Sequence, residues 1–436
     1  MEKEQRAREK TAVEKTAVGK KALVLAGGGV AGIAYELGVL HAIDRTLLDM
    51  SVNDFDIYVG TSAGATVAAL LANGFTPGKI LQAIQGERET RPFLRRDLWH
   101  FDIGSFWRAG RRAPGRLWNA GQRYWRDLRD GNLFGTLWVL LDLLPASLYD
   151  SANLEAYVRE LIVTLGGSNK FEELERDLHI IATRLDTGQR AVFNRDGRVP
   201  ISQAIAASSA VPGLYKPVRL NGIDYLDGGV RGNASIDLAV EQGATLVVCV
   251  NPIVPYDAHE EAGDDEAAEK GLQENEVSMQ AVLSQTLRAR IHATLHYHIK
   301  HLRGVYPEVD FYMIEPPQND KNMSAPNLMR FSDRLQIARR AFESAVWQLA
   351  EDEETWRRMW RQHDTAVWPG LNADECTQVA NAADRQALLS HLLDGDWPPP
   401  AKPAPHNSPQ TRLRQALDTL DKALEKSRPT ADAPSV

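Results

Sequence analysis

The sequence predicts a layered α/β domain, and three observations lead to that fold class. Two short apolar segments, ALVLA at 22–26 and DIYVG at 56–60, each run straight into a glycine-containing turn. Each turn is followed by a segment of helix-forming composition. A third apolar run, LVVCVNP at 246–252, has the length of a buried strand. Strands that alternate with helices form a sheet whose two faces are covered by helices.

The elements follow in order along the chain. The first helix is predicted over 31–49, where leucine and isoleucine recur at helical spacing. The helix after DIYVG is expected to end at Asn73-Gly74, a favourable C-terminal cap. The remaining strands are predicted at 179–185, 225–230, 246–252 and 309–317. The remaining helices are predicted at 201–210, 274–302 and 331–365.

The bulk composition is that of an ordinary globular protein. Of the 436 residues, 43% are hydrophobic and 25% are charged, so the chain can bury a large core without disulfides. The net charge of −8 means that the protein as a whole does not attract nucleic acid, and we expect no nucleic-acid partner.

One of the two cysteines, Cys249, lies in a strand-like run and predicts a free core thiol, which fits a cytoplasmic location. The sequence does not predict the oligomeric state.

Composition divides the chain into four segments. A charged leader covers 1–20 and lacks the apolar stretch of a signal peptide. The α/β domain covers 21–318. It is interrupted at 91–150 by an insertion, predicted to form a helical cap, that carries ten arginines and half of the ten tryptophans. A helical extension follows at 319–396, and a proline-rich linker and flexible tail at 397–436.

The turn at 60–64 is the first candidate for chemistry. It reads Gly60-Thr61-Ser62-Ala63-Gly64 and lies between a predicted strand and a predicted helix. A nucleophilic serine needs a sharp turn that lifts its hydroxyl above the sheet, and glycines on both sides permit such a turn. The N-terminus of the following helix favours developing negative charge. We therefore predict that Ser62 is a nucleophile, with Gly60 and Gly64 as supporting residues.

A nucleophilic serine needs a base, and Asp227 is the best candidate. It follows the apolar residues Tyr225 and Leu226 and precedes Gly228 and Gly229. An aspartate in this position is held at the end of a strand. Taken alone, the pattern also fits an ordinary turn aspartate.

Acyl transfer also needs hydrogen-bond donors for the oxyanion. Gly27, Gly28 and Gly29 present consecutive backbone N–H groups between a strand and a helix, and Gly32 completes the motif. The N–H of Ala63, directly after the serine, is a further donor. We predict that these four residues, Gly27 to Gly29 and Ala63, form the oxyanion hole.

Four ordered blocks resemble the patatin-like phospholipase family. Three are Gly-Gly-Gly-x-x-Gly at 27–32, Gly-Thr-Ser-Ala-Gly at 60–64 and Asp-Gly-Gly at 227–229. The fourth, Ala-Ser-Ser-Ala-Val-Pro at 207–212, matches the family's Ala-Ser-x-Ala-x-Pro. The resemblance covers about 21–318, apart from the insertion.

The resemblance implies a three-layer α/β fold with a central, mainly parallel sheet. It also implies hydrolysis of acyl esters in phospholipids, lysophospholipids or neutral glycerides, the first two above all, by a Ser–Asp dyad without metal or organic cofactor. Ser62 then attacks the ester carbonyl, Asp227 takes the serine proton, and water later releases the acyl group. One departure is Ala31, where the family usually carries arginine or lysine. It leaves open a catalytically weak, lipid-binding pseudoenzyme.

Other interpretations stay open beside this one. The first glycine block also fits the dinucleotide fingerprint, although the second strand does not end in the acidic residue that this motif expects. A Ser–Asp–His α/β-hydrolase would take its histidine from those that follow Asp227, which include His259 and four that crowd one helix. Two of these four, His292 and His296, lie one helical turn apart and would offer two metal ligands. No third ligand is apparent nearby, and we expect no metal.

The insertion at 91–150 suits a lipid surface. Between 91 and 131, ten arginines against four aspartates give a local charge of +6. Tryptophan prefers the lipid headgroup region, and arginine attracts anionic lipid. We expect a lid or peripheral membrane contact there. The alternative is a cap whose tryptophans face the core. No run of about 18 apolar residues occurs, so we expect no membrane-spanning helix.

Overall fold

The computed structural model describes residues 19–86, 90–98, 100–101, 149–256, 279–318 and 334–367. The chain divides into two compact units, Met1–Gly395 and Asp396–Val436, and every described residue belongs to the first. The predictions for the charged leader, for most of the 91–150 insertion and for the proline-rich tail lie outside the described residues. The domain boundaries predicted from composition stay predictions.

A central sheet is the main feature of the described fold. Five of its strands are parallel, in the order β10-β9-β1-β2-β5, and β6, β8 and β7 add antiparallel pairs at the β5 end. A separate two-stranded antiparallel pair joins β3 and β4. The strands are β1 (Lys20–Leu25), β2 (Ile57–Thr61), β3 (His100–Phe101), β4 (Tyr149–Asp150), β5 (Asp177–Arg184), β6 (Arg190–Phe193), β7 (Val218–Leu220), β8 (Ile223–Asp227), β9 (Ala244–Val250) and β10 (Asp310–Ile314).

The helices connect these strands or flank the sheet. Two of them start within a few residues of the end of a parallel strand: α1 follows β1, and α2 follows β2. The helices are α1 (Gly29–Thr46), α2 (Ala63–Ala72), α3 (Pro77–Gln85), α4 (Arg95–Leu98), α5 (Ala152–Thr164), α6 (Ile201–Ser208), α7 (Ile236–Glu241), α8 (Met279–Val305), α9 (Arg334–Glu351) and α10 (Glu353–Gln362).

Helices cover both faces of the sheet, so the domain has three layers. Side chains alternate along the strands: Leu23 of β1 faces the layer of α1, α2, α6 and α9, whereas Val24 faces α7 and α8. Both side chains are fully buried. Strands buried on both faces read as continuous apolar runs, which explains why ALVLA and LVVCV stand out in the sequence. The predicted α/β class with a central, mainly parallel sheet is confirmed.

Strands β2 and β8 meet end to end along one edge of β5. Thr61, the last residue of β2, pairs with Ile181, and the next residue of β5, Ala182, pairs with Asp227, the last residue of β8. Strand β6 occupies the opposite edge of β5. The two strands run toward each other, so their final residues are brought together at the centre of the sheet.

No helix within the described ranges combines the length and the apolar character needed to cross a membrane.

Candidate active site

Ser62 lies in the sharp turn between β2 and α2. Its backbone has φ 53° and ψ −117°, a strained conformation for a residue with a side chain. The turn requires Gly64, because a Cβ there would overlap the carbonyl oxygen of Leu25 in β1. The side chain of Ser62 is buried to 8% exposure. This conformation is that of a nucleophile elbow, in which the hydroxyl stands above the end of the sheet.

Asp227 lies within hydrogen-bond reach of Ser62. The Ser62 hydroxyl interacts with the Asp227 carboxylate and lowers the pKa of the carboxyl, and the backbone N–H of Gly229 donates to Asp227 Oδ1 at 2.7 Å. The end-to-end meeting of β2 and β8 on β5 is the physical cause of this proximity. The structure therefore brings together the two residues that the sequence singled out, 165 positions apart.

The block at 207–212 holds the backbone of both residues. At the end of α6, Ser208 Oγ accepts a hydrogen bond from the Ser62 N–H at 2.8 Å and donates to the Ile181 carbonyl at 2.5 Å. Two residues further on, the Ala210 carbonyl accepts the N–H of Asp227 at 2.9 Å. This block therefore fixes the serine and the aspartate from one side. Its sequence pattern was recognised, but these contacts were not predicted.

Burial makes the Asp227 carboxyl a weaker acid than an exposed aspartate. Its side chain is removed from water, and this desolvation raises its pKa from 3.8 to about 6. The hydrogen bonds from Ser62 and the Gly229 N–H favour the charged form and act in the opposite direction. The carboxylate is therefore ionised at neutral pH and more basic than an exposed aspartate, as a general base requires.

The glycine block after β1 lies beside Ser62. Gly28 and Gly29 line the same cavity as Ser62 and Ala63, and the first N–H groups of α1 and α2 are not used within their helices. Gly27 differs from the others, because its N–H donates to the backbone carbonyl of Asn233 at 3.3 Å. Of the four predicted donors, Gly28, Gly29 and Ala63 therefore remain for a ligand.

The cavity above Ser62 and Asp227 has a volume of about 470 Å³. Its walls are largely apolar and come from α1, from α4 and the segment before it, from α5, from the loop after α6 and from α8. Side chains that form these walls are Val30, Ile33, Phe93, Leu98, Leu154 and Leu214. An apolar cleft with a few polar groups at its base suits a ligand with a hydrocarbon portion.

Histidines lie away from this cavity in the described part of the chain. None of them lines it. His292 and His296 face Glu315 instead, and His363 lies against Asp310. This arrangement gives no support to the Ser–Asp–His alternative.

Sequence reasoning missed a chain of polar side chains next to the glycine block. Asn233 Nδ2 donates to the Gly27 carbonyl at 3.0 Å and to Asn251 Oδ1 at 3.3 Å. Asn251 Nδ2 in turn donates to Glu315 Oε1 at 2.6 Å. These residues follow β8, β9 and β10, and only the strand order places them side by side. No local pattern marks them.

Comparison with known proteins places the chain among its relatives. Residues 23–240, half of the chain, match the family model described as patatin-like phospholipase. The chain is 28% identical over 238 residues to the uncharacterized protein YjjU of Escherichia coli strain K12, covering 53% of this chain and 52% of that protein. It is 22% identical over 224 residues to the probable lipid hydrolase 463L of Invertebrate iridescent virus 6, covering 51% and 63%.

A third relative is the cGAMP-activated phospholipase of Escherichia coli strain TW11681. Identity is 26% over 233 residues, which cover 49% of this chain and 52% of that protein. The chain spans about half to two thirds of the length of the curated relatives it matches.

Proposed function

This chain belongs to the patatin-like phospholipase family, and on that premise we propose that it hydrolyses acyl esters of lipids through Ser62 and Asp227. The observation that carries the proposal is the position of the Ser62 hydroxyl beside the Asp227 carboxylate, with which it interacts, at the base of an apolar cavity. Two relatives are described as a probable lipid hydrolase and a phospholipase, which supports a lipid substrate. Phospholipids and lysophospholipids are the proposed substrate class.

In the proposed reaction, the Ser62 oxygen attacks the ester carbonyl carbon while Asp227 accepts the hydroxyl proton. The N–H groups of Gly28, Gly29 and Ala63 stabilise the negative charge that develops on the carbonyl oxygen. The bond to the alcohol then breaks, and the proton held by Asp227 passes to the leaving oxygen. Water attacks the acyl-enzyme with Asp227 again as base, which releases the fatty acid and restores the Ser62 hydroxyl.

The apolar walls of the cavity suit the acyl chain. A leucine-, valine- and phenylalanine-lined cleft removes hydrocarbon from water, which stabilises binding by about 25 cal/mol per Å² of buried apolar surface. The buried position of Ala31, at 4% exposure, keeps its side chain in the core beside this wall. The proposed donors are backbone groups and do not depend on the side chain at that position.

The decisive experiment compares the wild type with Ser62→Ala on a short acyl p-nitrophenyl ester and on phospholipid and lysophospholipid micelles. We expect Ser62→Ala to lower kcat at least 10³-fold, because the nucleophile is lost. A fluorophosphonate should add once per chain to the wild type and not to Ser62→Ala, as measured by intact mass.

Ser202→Ala is the matched control, since Ser202 lies on α6 and its hydroxyl contacts Glu155 and Asn169 instead of the cavity. It should keep both activity and labelling. A wild type that neither hydrolyses these esters nor reacts with the phosphonate would favour the pseudoenzyme instead.

We also propose that the protein contacts a lipid surface at the mouth of the cavity. Three lining side chains are unusually exposed for apolar residues: Val211 at 39%, Val230 at 52% and Leu287 at 58%. Exposed apolar groups around a cleft are typical of an interaction surface. The contact proposed for the 91–150 insertion falls mostly on residues 99 and 102–148, outside the described residues.

Vesicle flotation tests this contact with two matched substitutions. Val230→Asp should weaken flotation with phospholipid vesicles because it places a charge at the cavity mouth. Val163→Asp changes an equally exposed valine on α5, 61% exposed and not part of the cavity lining, and should leave flotation unchanged. Equal flotation of the two variants would contradict a contact at the cavity mouth.

A further inference from the structure

A cluster of two imidazoles and one carboxylate lies outside the active site. His292 and His296 project from α8 one turn apart, with ring centroids 4.2 Å from each other. The Nε2 atoms of both rings face the same oxygen, Oε2 of Glu315, at distances of 3.5 and 2.7 Å. One ligand atom from each of the three side chains lies within 4.8 Å of the other two.

The third member of the cluster is what sequence reasoning did not supply. Glu315 directly follows β10, and its side chain is only 14% exposed. From the other side, Asn251 donates to its Oε1 at 2.6 Å, which leaves Oε2 directed at the histidines. A carboxylate that is oriented by a buried neighbour in this way matches the outer-sphere support found around metal ligands.

We propose that His292, His296 and Glu315 bind one zinc ion. Two imidazole nitrogens and one carboxylate oxygen are a ligand set that zinc takes in proteins, and i,i+4 histidines on a helix present both nitrogens on one face. Zinc bonds of about 2.0–2.1 Å in tetrahedral geometry place neighbouring ligand atoms roughly 3.3 Å apart. The two distances from Glu315 Oε2 to the imidazole nitrogens, 2.7 and 3.5 Å, lie on either side of this value, and all three ligand atoms lie within 4.8 Å of one another. Calcium and magnesium favour sites built from oxygen alone.

The zinc site would be linked to the active site by hydrogen bonds. A bound ion would hold Oε2 of Glu315, and Oε1 of the same carboxylate accepts a hydrogen bond from Asn251 Nδ2. The Oδ1 atom of Asn251 in turn accepts a hydrogen bond from Asn233 Nδ2. Asn233 contacts both the N–H and the carbonyl of Gly27, next to the proposed oxyanion donors. Three protein ligands leave at least one position of the ion open to water or another ligand.

Metal binding can be measured without any assay of hydrolysis. The full-length protein, without a polyhistidine tag, is treated with a chelator, dialysed and titrated with Zn²⁺ and with Co²⁺. We expect one zinc per chain by elemental analysis and a visible Co²⁺ absorption band that zinc abolishes. His296→Ala should weaken zinc binding at least 100-fold, and because this side chain is 48% exposed the fold should not depend on it.

His301→Ala is the matched control, since His301 is exposed on the same helix and is not part of the cluster. It should bind zinc as the wild type does. Asn251→Ala removes the support of Glu315 together with the side-chain hydrogen bonds of Asn251 to Asn233 and Ile253, and it should weaken zinc binding about 10-fold while leaving all three ligands in place. A wild type without stoichiometric zinc, or equal affinities of His296→Ala and His301→Ala, would overturn the proposal. Repeating the titration in Ser62→Ala separates the zinc site from the proposed hydrolysis.

Discussion

At the scale of single residues, two opposing effects determine the pKa of the Asp227 carboxyl. Removal from water raises the pKa of its carboxyl to about 6, and the hydrogen bonds from Ser62 and Gly229 act against that rise. The balance leaves a carboxylate that is charged at neutral pH but binds a proton about two orders of magnitude more readily than an exposed aspartate. A base of this strength suits removal of a proton from a serine hydroxyl.

The first prediction concerns the pH dependence of hydrolysis. The base must be ionised, so kcat/KM should rise about tenfold per pH unit below pH 6 and level off above it. The measurement is kcat/KM of the wild type on a soluble ester between pH 4.5 and 8.5. A profile that is flat through pH 6 would contradict the role given to Asp227.

Asp227→Asn tests the raised pKa of this residue by a second measurement, the free energy of unfolding. Because the folded pKa lies above the ordinary 3.8, ionisation of Asp227 destabilises the native state fully above pH 6 and not at all below about pH 3.8. The variant should therefore be inactive yet more stable than the wild type at pH 8, by up to about 3 kcal/mol. Chemical denaturation at pH 8 and pH 4 should show this gain shrinking at the lower pH.

At the scale of elements, the end of α6 holds the backbone of Ser62, the proposed nucleophile. Ser208 joins the Ser62 N–H to the Ile181 carbonyl, and so connects the nucleophile elbow to the central strand β5. All three groups are buried. Loss of such a link leaves a buried donor and a buried acceptor without partners.

The second prediction compares two serines of α6. Ser208→Ala should lower the free energy of unfolding by about 1–3 kcal/mol and reduce kcat by tenfold or more with little change in KM, because Ser62 loses its backbone support. Ser202→Ala is the matched control. It removes a serine on the same helix that donates to Glu155 and accepts from Asn169, remote from the active site. It should lower stability without lowering kcat, and equal loss of kcat in both would contradict the positioning role.

Elements with a strong local pattern were predicted well. The apolar runs at 22–26, 56–60 and 246–252 fall on β1, β2 and β9, and the helix expected to end at Asn73 does end there, with Gly74 at φ 80°. The strand predicted at 225–230 is shorter, since β8 ends at Asp227 and a 3-10 turn follows.

Elements with a weak pattern were missed for physical reasons. Strands β6 and β7 are three to four residues long and mostly half-buried, so they lack an apolar signature. Helix α3 carries a start signal in Thr76 and Pro77 that the prediction omits. The direction of β8 has no local signal at all, because a strand looks the same in parallel and antiparallel pairing. Ser62 and Asp227 are predicted as catalytic residues from the turns that hold them, whereas the contacts of Asn233, Asn251 and Glu315 depend on strand order.

At the scale of the whole molecule, the C-terminal helices are packed against the first helix of the domain. Helix α9 lies along α1, where a methyl group on Gly38 would overlap the Ala338 carbonyl oxygen and lie 2.9 Å from the Ala341 Cβ. Helix α10 adds a hydrogen bond from Trp356 Nε1 to Thr46 Oγ1 at 3.2 Å. The proposed oxyanion donors lie at the N-terminal end of α1. The described part of the predicted helical extension therefore packs against the same helix that carries these donors.

The third prediction tests this contact with two glycine-to-alanine changes in helices. Gly38→Ala should lower the free energy of unfolding by about 1–3 kcal/mol, because the closely packed α1 and α9 must move apart. Gly304→Ala in α8 places its methyl group in open space. It should raise stability by up to about 1 kcal/mol, since alanine loses less backbone entropy on folding. The measurement is the denaturant midpoint of each variant relative to the wild type. Midpoints that shift in the same direction would contradict the close contact between α1 and α9.

The abutment of β2 and β8 on β5 has a consequence for how activity is lost. Thr61, directly before the serine, pairs with Ile181, and Asp227 pairs with the next residue, Ala182. The serine and the aspartate are therefore held at one buried strand rather than by two loops that move independently. Separating them requires breaking the backbone hydrogen bonds of buried core strands. The free energy of such an opening approaches that of global unfolding. The pair is thus always assembled while the domain is folded, and heat should inactivate it only at the temperature at which the sheet itself melts.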